Sequence, residues 1–316
     1  MNRYLLLCLF SFSSLFSFAQ EPDEIAKYVN SVSDYFNKVP QGMINFSISI
    51  NTGVAKAEVV KQRDEMFKII DEAKINIAGI KEIPESLGYR DSVLSTLSAY
   101  KAILSAEFLK DNFLDSMMYM PKDILAQFDH GDSISVALDN AYSIQHKVYR
   151  KYINHHKLRQ QRSGVHALIS RYSKMCDYYF DSQRKYLLVW MKFEELTKSW
   201  NTRNSDSLSS RSKIFNAFVE KQRGEINGMP LYKNDSTLLI QNDSVFNKMI
   251  EFNNEYVPVI LEEFAFGDWI PDTKAAEYKV VQEKVGEGIA LCDKFLHPQF
   301  VQFYMNCHAY FTKHLN

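Results

Sequence analysis

The sequence predicts an all-α protein made of two tandem (duplicated) four-helix-bundle-like halves after a signal peptide. Three observations predict this class. Apolar residues recur at helical spacing, Gly and Pro are scarce at 11 and 8 of 316 residues, and short motifs recur in the same order along the two parts of the chain. All-β sandwiches need many turns rich in Gly and Pro, so this composition favours helices.

The first 19 residues have the parts of a secretory signal peptide. A cationic start is followed by an apolar or small-residue run over residues 4–18, and Ser17-Phe18-Ala19 has the small residues of a cleavage site. We expect cleavage before Gln20 and export to the periplasm or cell surface. Leu7 disfavours lipidation of Cys8, because lipidation needs a small residue just before the cysteine. The remaining chain has no long apolar run, so no transmembrane span is expected in the mature chain.

Amphipathic periodicity predicts most of the helices. The apolar stripes are Met66, Ile70, Ala73, Ile77 and Ile80; Val93, Leu97, Tyr100, Leu104 and Phe108; and Val245, Met249, Phe252, Tyr256 and Ile260. Pro121 and Pro271 stand where helices would begin. The polar stretches Asn201–Ser212 and Gly228–Asp243 resemble loops. Residues 44–50 alternate as a strand would, and we interpret them as the tail of the first helix or a loop.

An internal repeat divides the chain into residues 20–160 and 161–316, with the seam near residues 155–165. The matched motifs are Tyr28…Phe36 with Tyr172…Phe180, Lys61-Gln62-Arg63 with Lys221-Gln222-Arg223, Asp91-Ser92-Val93 with Asp243-Ser244-Val245, Met120-Pro121 with Ile270-Pro271, and Ala137-Leu138 with Ala290-Leu291. Their shared order predicts two halves of about four helices, enough for each to close a core. The alternative is one irregular helical domain with chance matches.

The charges are balanced overall and segregated locally. The formal net charge is −1, which gives no general attraction to nucleic acid. Residues 140–176 contain no Asp or Glu but eight Lys or Arg and four His. The candidate anion-binding residues of this segment are Lys147, Arg150, Lys151, His155, Arg159 and Arg162. The alternative is a basic helix face neutralised by acidic residues of the second half.

No motif for metal, cofactor or covalent chemistry is recognisable. None of the eight histidines has Asp or Glu three residues before it, and no two are four apart, so the helical metal motifs are missing. Gly164-Val165-His166 is similar to the start of the imelysin motif, but Ile169 replaces its glutamate. There is no Gly-x-Ser-x-Gly elbow. We therefore predict no metal, no cofactor and no catalytic residue, and consider an enzyme less favoured than a non-enzyme.

The three cysteines beyond the signal peptide leave one disulfide to consider. Cys292 and Cys307 lie on either side of His297-Pro298. They could pair if the chain reverses there, but would be too far apart if a helix simply continues. Buried free thiols are the alternative.

Six Asp-Ser pairs that are followed by an apolar residue or Thr resemble the acceptor motif of the periplasmic O-glycosylation systems of Bacteroidota. The candidate acceptors are Ser92, Ser116, Ser133, Ser207, Ser236 and Ser244. Asp and Ser are also favoured helix N-caps, so the pairs could equally mark helix starts.

Four segments together resemble a family of exported or surface helical proteins of unknown function, often lipoproteins, found in Bacteroidota and spirochaetes. They are Tyr28–Phe36, Lys56–Ile80, Leu87–Ser92, and Ala137-Leu138-Asp139 followed by Gln145. The resemblance implies an exported helical protein and brings no established catalytic residues.

These features lead to three hypotheses of function. The first is a non-enzymatic helical scaffold or binding module of the cell envelope. The second is a small-ligand carrier or enzyme with a polar pocket between the halves, for which Arg150, His155 or Glu262 would face inward. The third is a binder of anionic envelope polymers or lipid headgroups through residues 147–162. Envelope proteins or such polymers are the expected partners, and nucleic acid is not.

Overall fold

The computed structural model describes residues 24–51, 55–108, 121–158, 164–267 and 270–315. The all-α prediction is confirmed, because the structure is 91% helical and the described residues contain no strand. Among these residues, no helix combines the length and the apolar character that crossing a membrane requires.

The first five helices extend from residue 24 to residue 155. They are α1 (Glu24–Phe36), α2 (Lys38–Asn51), α3 (Lys56–Ala78), α4 (Tyr89–Phe108) and α5 (Pro121–His155). A turn at Asn37 separates α1 from α2, and Pro40 lies in the first turn of α2, where a missing N–H costs little. Residues 44–50 are therefore helical, as the tail of the first helical segment.

The next six helices are α6 (Gly164–Asn201), α7 (Ser205–Asn227), α8 (Thr237–Glu251), α9 (Val257–Phe266), α10 (Ala275–Leu291) and α11 (His297–Leu315). Two π-helical turns, Phe252–Tyr256 and Cys292–Leu296, join α8 to α9 and α10 to α11 without a break. Each turn ends two residues before a proline, Pro258 or Pro298. A proline clashes with the carbonyl four residues earlier in an α-helix, and the wider π turn relieves that clash.

The chain forms two compact units that divide after Asp177, inside α6. The sequence places this boundary at residue 160, before α6. In the first unit, the buried core includes Phe36, Ile70 and Leu97. In the second unit, 14 of the 30 buried hydrophobic residues that the structure describes are aromatic. Among them, the rings of Tyr186 and Phe303 stack with centroids 3.7 Å apart.

Two predicted loops are largely helical. α7 begins at Ser205, within the stretch Asn201–Ser212, because Asn204 caps it by accepting a hydrogen bond from the Ser207 N–H at 2.9 Å. α8 begins at Thr237, within Gly228–Asp243. Polar composition reflects the exposed surface of these first turns, and it does not distinguish an exposed helix from a loop.

The disulfide between Cys292 and Cys307 is not formed. Both cysteines are buried free thiols, and the helix continues past Pro298 without reversing. Fifteen residues of helix hold the two Cα atoms roughly 22 Å apart, far beyond the reach of a disulfide. Burial raises the pKa of both thiols to about 12, so they are unreactive.

Candidate functional site: the basic face of α5

The core-facing side of α5 fixes the direction of its basic side chains. Tyr142, Tyr149 and Tyr152 are at most 3% exposed and lie on one side of the helix. The Tyr149 and Tyr152 rings pack against Tyr89 with centroids 5.5 and 5.7 Å away. These tyrosines interleave with the cations in sequence but belong to the core, so they form no part of the exposed surface.

The opposite side of α5 carries the predicted cations. Lys147, Arg150, Lys151 and His155 are all exposed, and we call these four residues the basic face. Their spacings of three and four residues bring them together on one stripe of the helix. Among the described residues, the three Lys and Arg side chains have no carboxylate within 4.0 Å. Arg159 and Arg162 lie outside the described residues.

Charge is segregated along α5. The acidic residues of this helix, which include Asp129, Asp132 and Asp139, all precede the basic face. Asp139 is roughly 12 Å of helix rise before Lys147. Cations near the helix C-terminus are favoured by the partial negative charge of the terminal carbonyl groups, so this arrangement stabilises the helix as well as exposing positive charge.

His146 lies beneath the basic face and, unlike the exposed His155, is partly covered by neighbouring residues. It is half-buried, and its Nδ1 lies 3.1 Å from the Tyr142 hydroxyl. Burial, with a contribution from the nearby Arg150 charge, lowers the pKa of His146. This imidazole therefore stays neutral at pH 7 and adds no charge to the surface.

The C-terminal end of α5 is anchored by two hydrogen bonds to distant backbone carbonyls. The Tyr152 hydroxyl donates to the Ile25 carbonyl at 3.0 Å, and His156 Nε2 lies 2.9 Å from the Glu85 carbonyl. The His155 ring packs edge-on against His156, with centroids 4.8 Å apart. The basic face thus stands on a fixed support.

Three side chains bear on the carrier or enzyme hypothesis. Arg150, His155 and Glu262 are all exposed. Within the described ranges, no group of three or more His, Cys, Asp or Glu side chains could hold a metal ion.

A buried polar cluster in the second unit escaped the sequence analysis. Asp235 Oδ2 accepts from His314 Nε2 and Lys313 Nζ, each at 2.8 Å, and Oδ1 accepts from the Thr237 N–H at 2.9 Å. The Asp235 and His314 side chains are only 8% and 6% exposed. Seventy-nine residues separate this pair, so no local motif could have indicated it.

The candidate glycosylation serines differ in accessibility. Ser133 and Ser244 are exposed, whereas Ser92, Ser207 and Ser236 are half-buried. Ser116 lies outside the described residues. The first of the exposed pair, Ser133, donates to the Asp129 carbonyl in its own helix at 3.2 Å.

Neither a protein-family model, nor a curated protein, nor a solved structure matches this chain. Its interpretation therefore rests on its own geometry. That geometry defines a class of protein: an all-helical protein that presents positive charge on the exposed face of a helix.

Proposed function

We propose that this chain is an exported, non-enzymatic binding module of the cell envelope that holds an anionic polymer against the basic face of α5. One observation carries the proposal. Lys147, Arg150 and Lys151 are exposed together and have no anionic partner among the described residues. Such a set of uncompensated cations concentrates anions at its surface.

A polymer fits this surface better than a small ligand. The cations stand on an exposed helix face, whereas small ligands are usually held in concave sites. Lys147 and Lys151 are separated by roughly 6 Å of helix rise. Repeated phosphates or carboxylates along one polymer could engage both, and such multivalent contact raises affinity without a pocket.

We also propose that the two units arose by duplication, because their patterns of buried and exposed residues correspond. Of the 46 positions from Lys56 to Lys101, 44 are buried, half-buried or exposed in the same way as the position 149 residues later. The buried residues of α3, for example, pair in order with those of α7: Val59 with Leu208, Met66 with Phe215, Ile70 with Val219, Ala73 with Gln222, and Ile77 with Ile226.

The flanking helices support the same relationship. Of the 14 buried residues described in α1 and α2, 11 correspond to buried residues of α6 with a shift of 150 residues, so that Tyr28 corresponds to Tyr178 and Phe36 to Tyr186. The pattern of α5 recurs along α10 and α11 with a shift of 157 residues before the π turn and 158 after it. The extra residue of the π turn accounts for that change.

A Tyr-Tyr-His stack occurs at corresponding positions of both units. In the first unit, Tyr28 lies 6.2 Å from Tyr152, which lies 4.5 Å from His156. In the second unit, the corresponding centroid distances are 6.0 Å for Tyr178–Tyr310 and 4.6 Å for Tyr310–His314. Repetition of the same side-chain types and spacings supports duplication independently of burial.

The short sequence matches give a different register. With the shift of 149 residues, Asp91 corresponds to Ile240, although the sequence matched it with Asp243. Those short motifs are therefore not the repeated positions. What recurs is the order of buried and exposed residues, with little residue identity.

The basic face is only partly repeated in the second unit. Lys147 and Lys151 correspond to Met305 and Ala309 on α11, both exposed, whereas Arg150 and His155 correspond to His308 and Lys313. The first unit therefore carries two exposed lysines that the second unit lacks at the corresponding positions, which favours a binding surface specific to α5.

The test is binding to a purified anionic envelope polymer, with lipopolysaccharide as the probe. We expect Lys147→Glu/Arg150→Glu/Lys151→Glu to weaken co-sedimentation at least tenfold. The matched control, Lys68→Glu/Lys213→Glu/Lys279→Glu, makes the same net charge change at exposed positions elsewhere and should bind as wild type. Equal loss in both variants, or no loss in either, would reject the proposal. Tighter binding to anionic vesicles than to the polymer would reassign the surface to lipid headgroups.

A further inference from the structure

The second unit has a surface groove between α6 and α7. It has a volume of about 330 Å³, and Ile214, Phe215, Ala217 and Phe218 of α7 form its apolar lining. Ile214 is 62% exposed although it is a large aliphatic side chain. The groove therefore presents a continuous apolar strip to solvent.

The corresponding place in the first unit is closed. Gly42 of α2 corresponds to Lys192 of α6, and Ile69 of α3 corresponds to Phe218 of α7. A Cβ atom on Gly42 would approach Ile69 Cδ1 to 3.0 Å, so α2 and α3 pack against each other with no room between them. In the second unit the corresponding residues are the larger Lys192 and Phe218, and the groove lies between their helices.

The surface residues at this place also differ in character. Glu65 and Glu72 of α3 correspond to Ile214 and Lys221 of α7. An acidic, closed contact in one unit thus corresponds to an apolar, cation-bordered groove in the other. This comparison uses the register of the proposed duplication, whereas the groove itself does not depend on it.

Three cations and one carboxylate border the groove: Lys192, Arg211, Lys221 and Glu195. The Glu195 carboxylate is engaged by Lys192 Nζ at 2.9 Å. Arg211 Nη1 donates to the Glu195 carbonyl and, at 2.6 Å, to Ser199 Oγ, which orients the guanidinium. Its Nε and Nη2 groups have no acceptor among the described residues, so they remain available to an anion.

We infer that this groove binds a single-chain amphiphile with an anionic head, such as a fatty acid. The aliphatic chain lies along Ile214 and Phe218, and the head pairs with Arg211 and Lys221. The volume is within the range of small-molecule sites, about 300–1,000 Å³. A stable protein partner would need about 800 Å² of surface on this side, more than eight lining residues provide. The excess of cations selects an anionic head over a cationic one.

Calorimetric titration of the full chain with dodecanoate, kept below its micelle-forming concentration, tests the inference. We expect saturable 1:1 binding, weakened at least tenfold by Ile214→Glu and by Lys221→Glu. Ile75→Glu is the matched control, because Ile75 is 72% exposed on α3 and borders no described groove. It should leave binding unchanged. Circular dichroism and urea midpoints should show that all three variants fold.

Three outcomes would overturn the inference: no saturable binding, equal binding of dodecyltrimethylammonium, or equal loss in the Ile75→Glu control. A dimer of the wild type that Ile214→Glu dissociates would reassign the groove to contact between copies of the chain. The basic-face variant Lys147→Glu/Arg150→Glu/Lys151→Glu should bind dodecanoate normally, so this test and that of the polymer can fail separately.

Discussion

At the scale of single residues, the Asp235 carboxylate is buried and accepts several hydrogen bonds, so its substitution should destabilise the fold. Burial alone would raise the pKa of Asp235, but hydrogen bonds from Lys313, Thr237 and His314 outweigh burial and hold the pKa well below its usual range. A depressed pKa means that the folded state favours the ionised carboxylate. The cluster therefore ties the last turn of α11 to the start of α8 as long as Asp235 is charged.

We predict that Asp235→Asn lowers the free energy of unfolding at pH 7 by about 2–4 kcal/mol, because charged hydrogen bonds are lost and the buried His314 side chain loses its carboxylate acceptor. Asp206→Asn, at an exposed position of α7, should change it by less than about 0.5 kcal/mol. Stability from the Asp235 carboxylate is present above its unfolded pKa near 3.8 and is lost as pH falls below it. Urea unfolding of both variants from pH 7 to pH 3 should show the difference shrinking, and a constant difference would contradict the account.

Gln145 is a buried polar residue whose replacement should stabilise the protein, in contrast to that of Asp235. It is 1% exposed, and neither amide atom has a hydrogen-bond partner among the described residues. In the register of the proposed duplication, Gln145 corresponds to the buried Phe303. We predict that Gln145→Met stabilises the protein by about 1–3 kcal/mol, because it removes buried unpaired polar atoms at similar volume. The urea midpoint should rise at unchanged m value.

The contrast for this prediction is Asn253→Leu. Asn253 Nδ2 donates to the Ser212 carbonyl at 3.1 Å and to Asn216 Oδ1 at 3.0 Å, so its removal takes away two hydrogen bonds, although Asn253 Oδ1 itself has no partner among the described residues. Here the urea midpoint should fall. If both substitutions moved the midpoint in the same direction, hydrogen-bond satisfaction would not be the controlling factor.

At the scale of helices, Gly42 sets the separation of α2 and α3. We predict that Gly42→Leu destabilises the protein by about 1–3 kcal/mol, because the added side chain must displace Ile69 and then meets the α3 backbone near Met66. Gly224→Leu makes the same substitution where a Cβ meets nothing within 4 Å. It should stabilise by about 0.5–1 kcal/mol through helix propensity. Thermal unfolding measures both, and equal effects would show that close helix packing at Gly42 is unimportant.

The π turns show that a proline in the sequence marks a disturbed helix but does not tell whether the helix ends there. Pro298 left two predictions open, a chain reversal or a continuing helix, and only the reversal would have allowed Cys292 to meet Cys307. The helix continues because the π turn Cys292–Leu296 absorbs the proline. Local sequence signals a disturbance at such a position, while the surrounding packing decides between a kink and a break.

For the whole molecule, helicity was predictable and the repeat register was not. The stripe Met66, Ile70, Ala73 and Ile77 is buried as its spacing predicts, because periodicity reports burial directly. The duplicated halves stay a proposal, now with a register that residue identity could not supply. The basic face was visible as a run without acids, but the inward direction of Tyr142, Tyr149 and Tyr152 depended on how α5 packs.

The groove and the Asp235 cluster could not be predicted from the sequence for a different reason. Lys192 and Arg211 lie on separate helices, and Asp235 and His314 are farther apart still in sequence. Side chains that meet only through tertiary packing leave no periodic or local signal. Sequence analysis therefore detects surfaces on one helix more readily than sites between helices.

Export and modification can be checked on native protein from the envelope. We predict that its intact mass corresponds to a chain beginning at Gln20, because the small residues before it suit cleavage. Any hexose-bearing peptides should include Ser133 or Ser244, the exposed candidates. A chain still carrying residues 1–19, or one lipidated at Cys8, would contradict the cleavage prediction. Complete absence of hexose would remove the glycosylation prediction.

The central claim is that the basic face binds an anionic polymer, and lysine footprinting tests it most directly. The protein is acetylated with and without lipopolysaccharide, and the modification rate of each lysine is read by mass spectrometry. We predict that the polymer slows acetylation of Lys147 and Lys151 at least fivefold and leaves Lys213 and Lys279, exposed in the second unit, unchanged. Uniform slowing of all lysines, or protection that spares Lys147 and Lys151, would contradict the account.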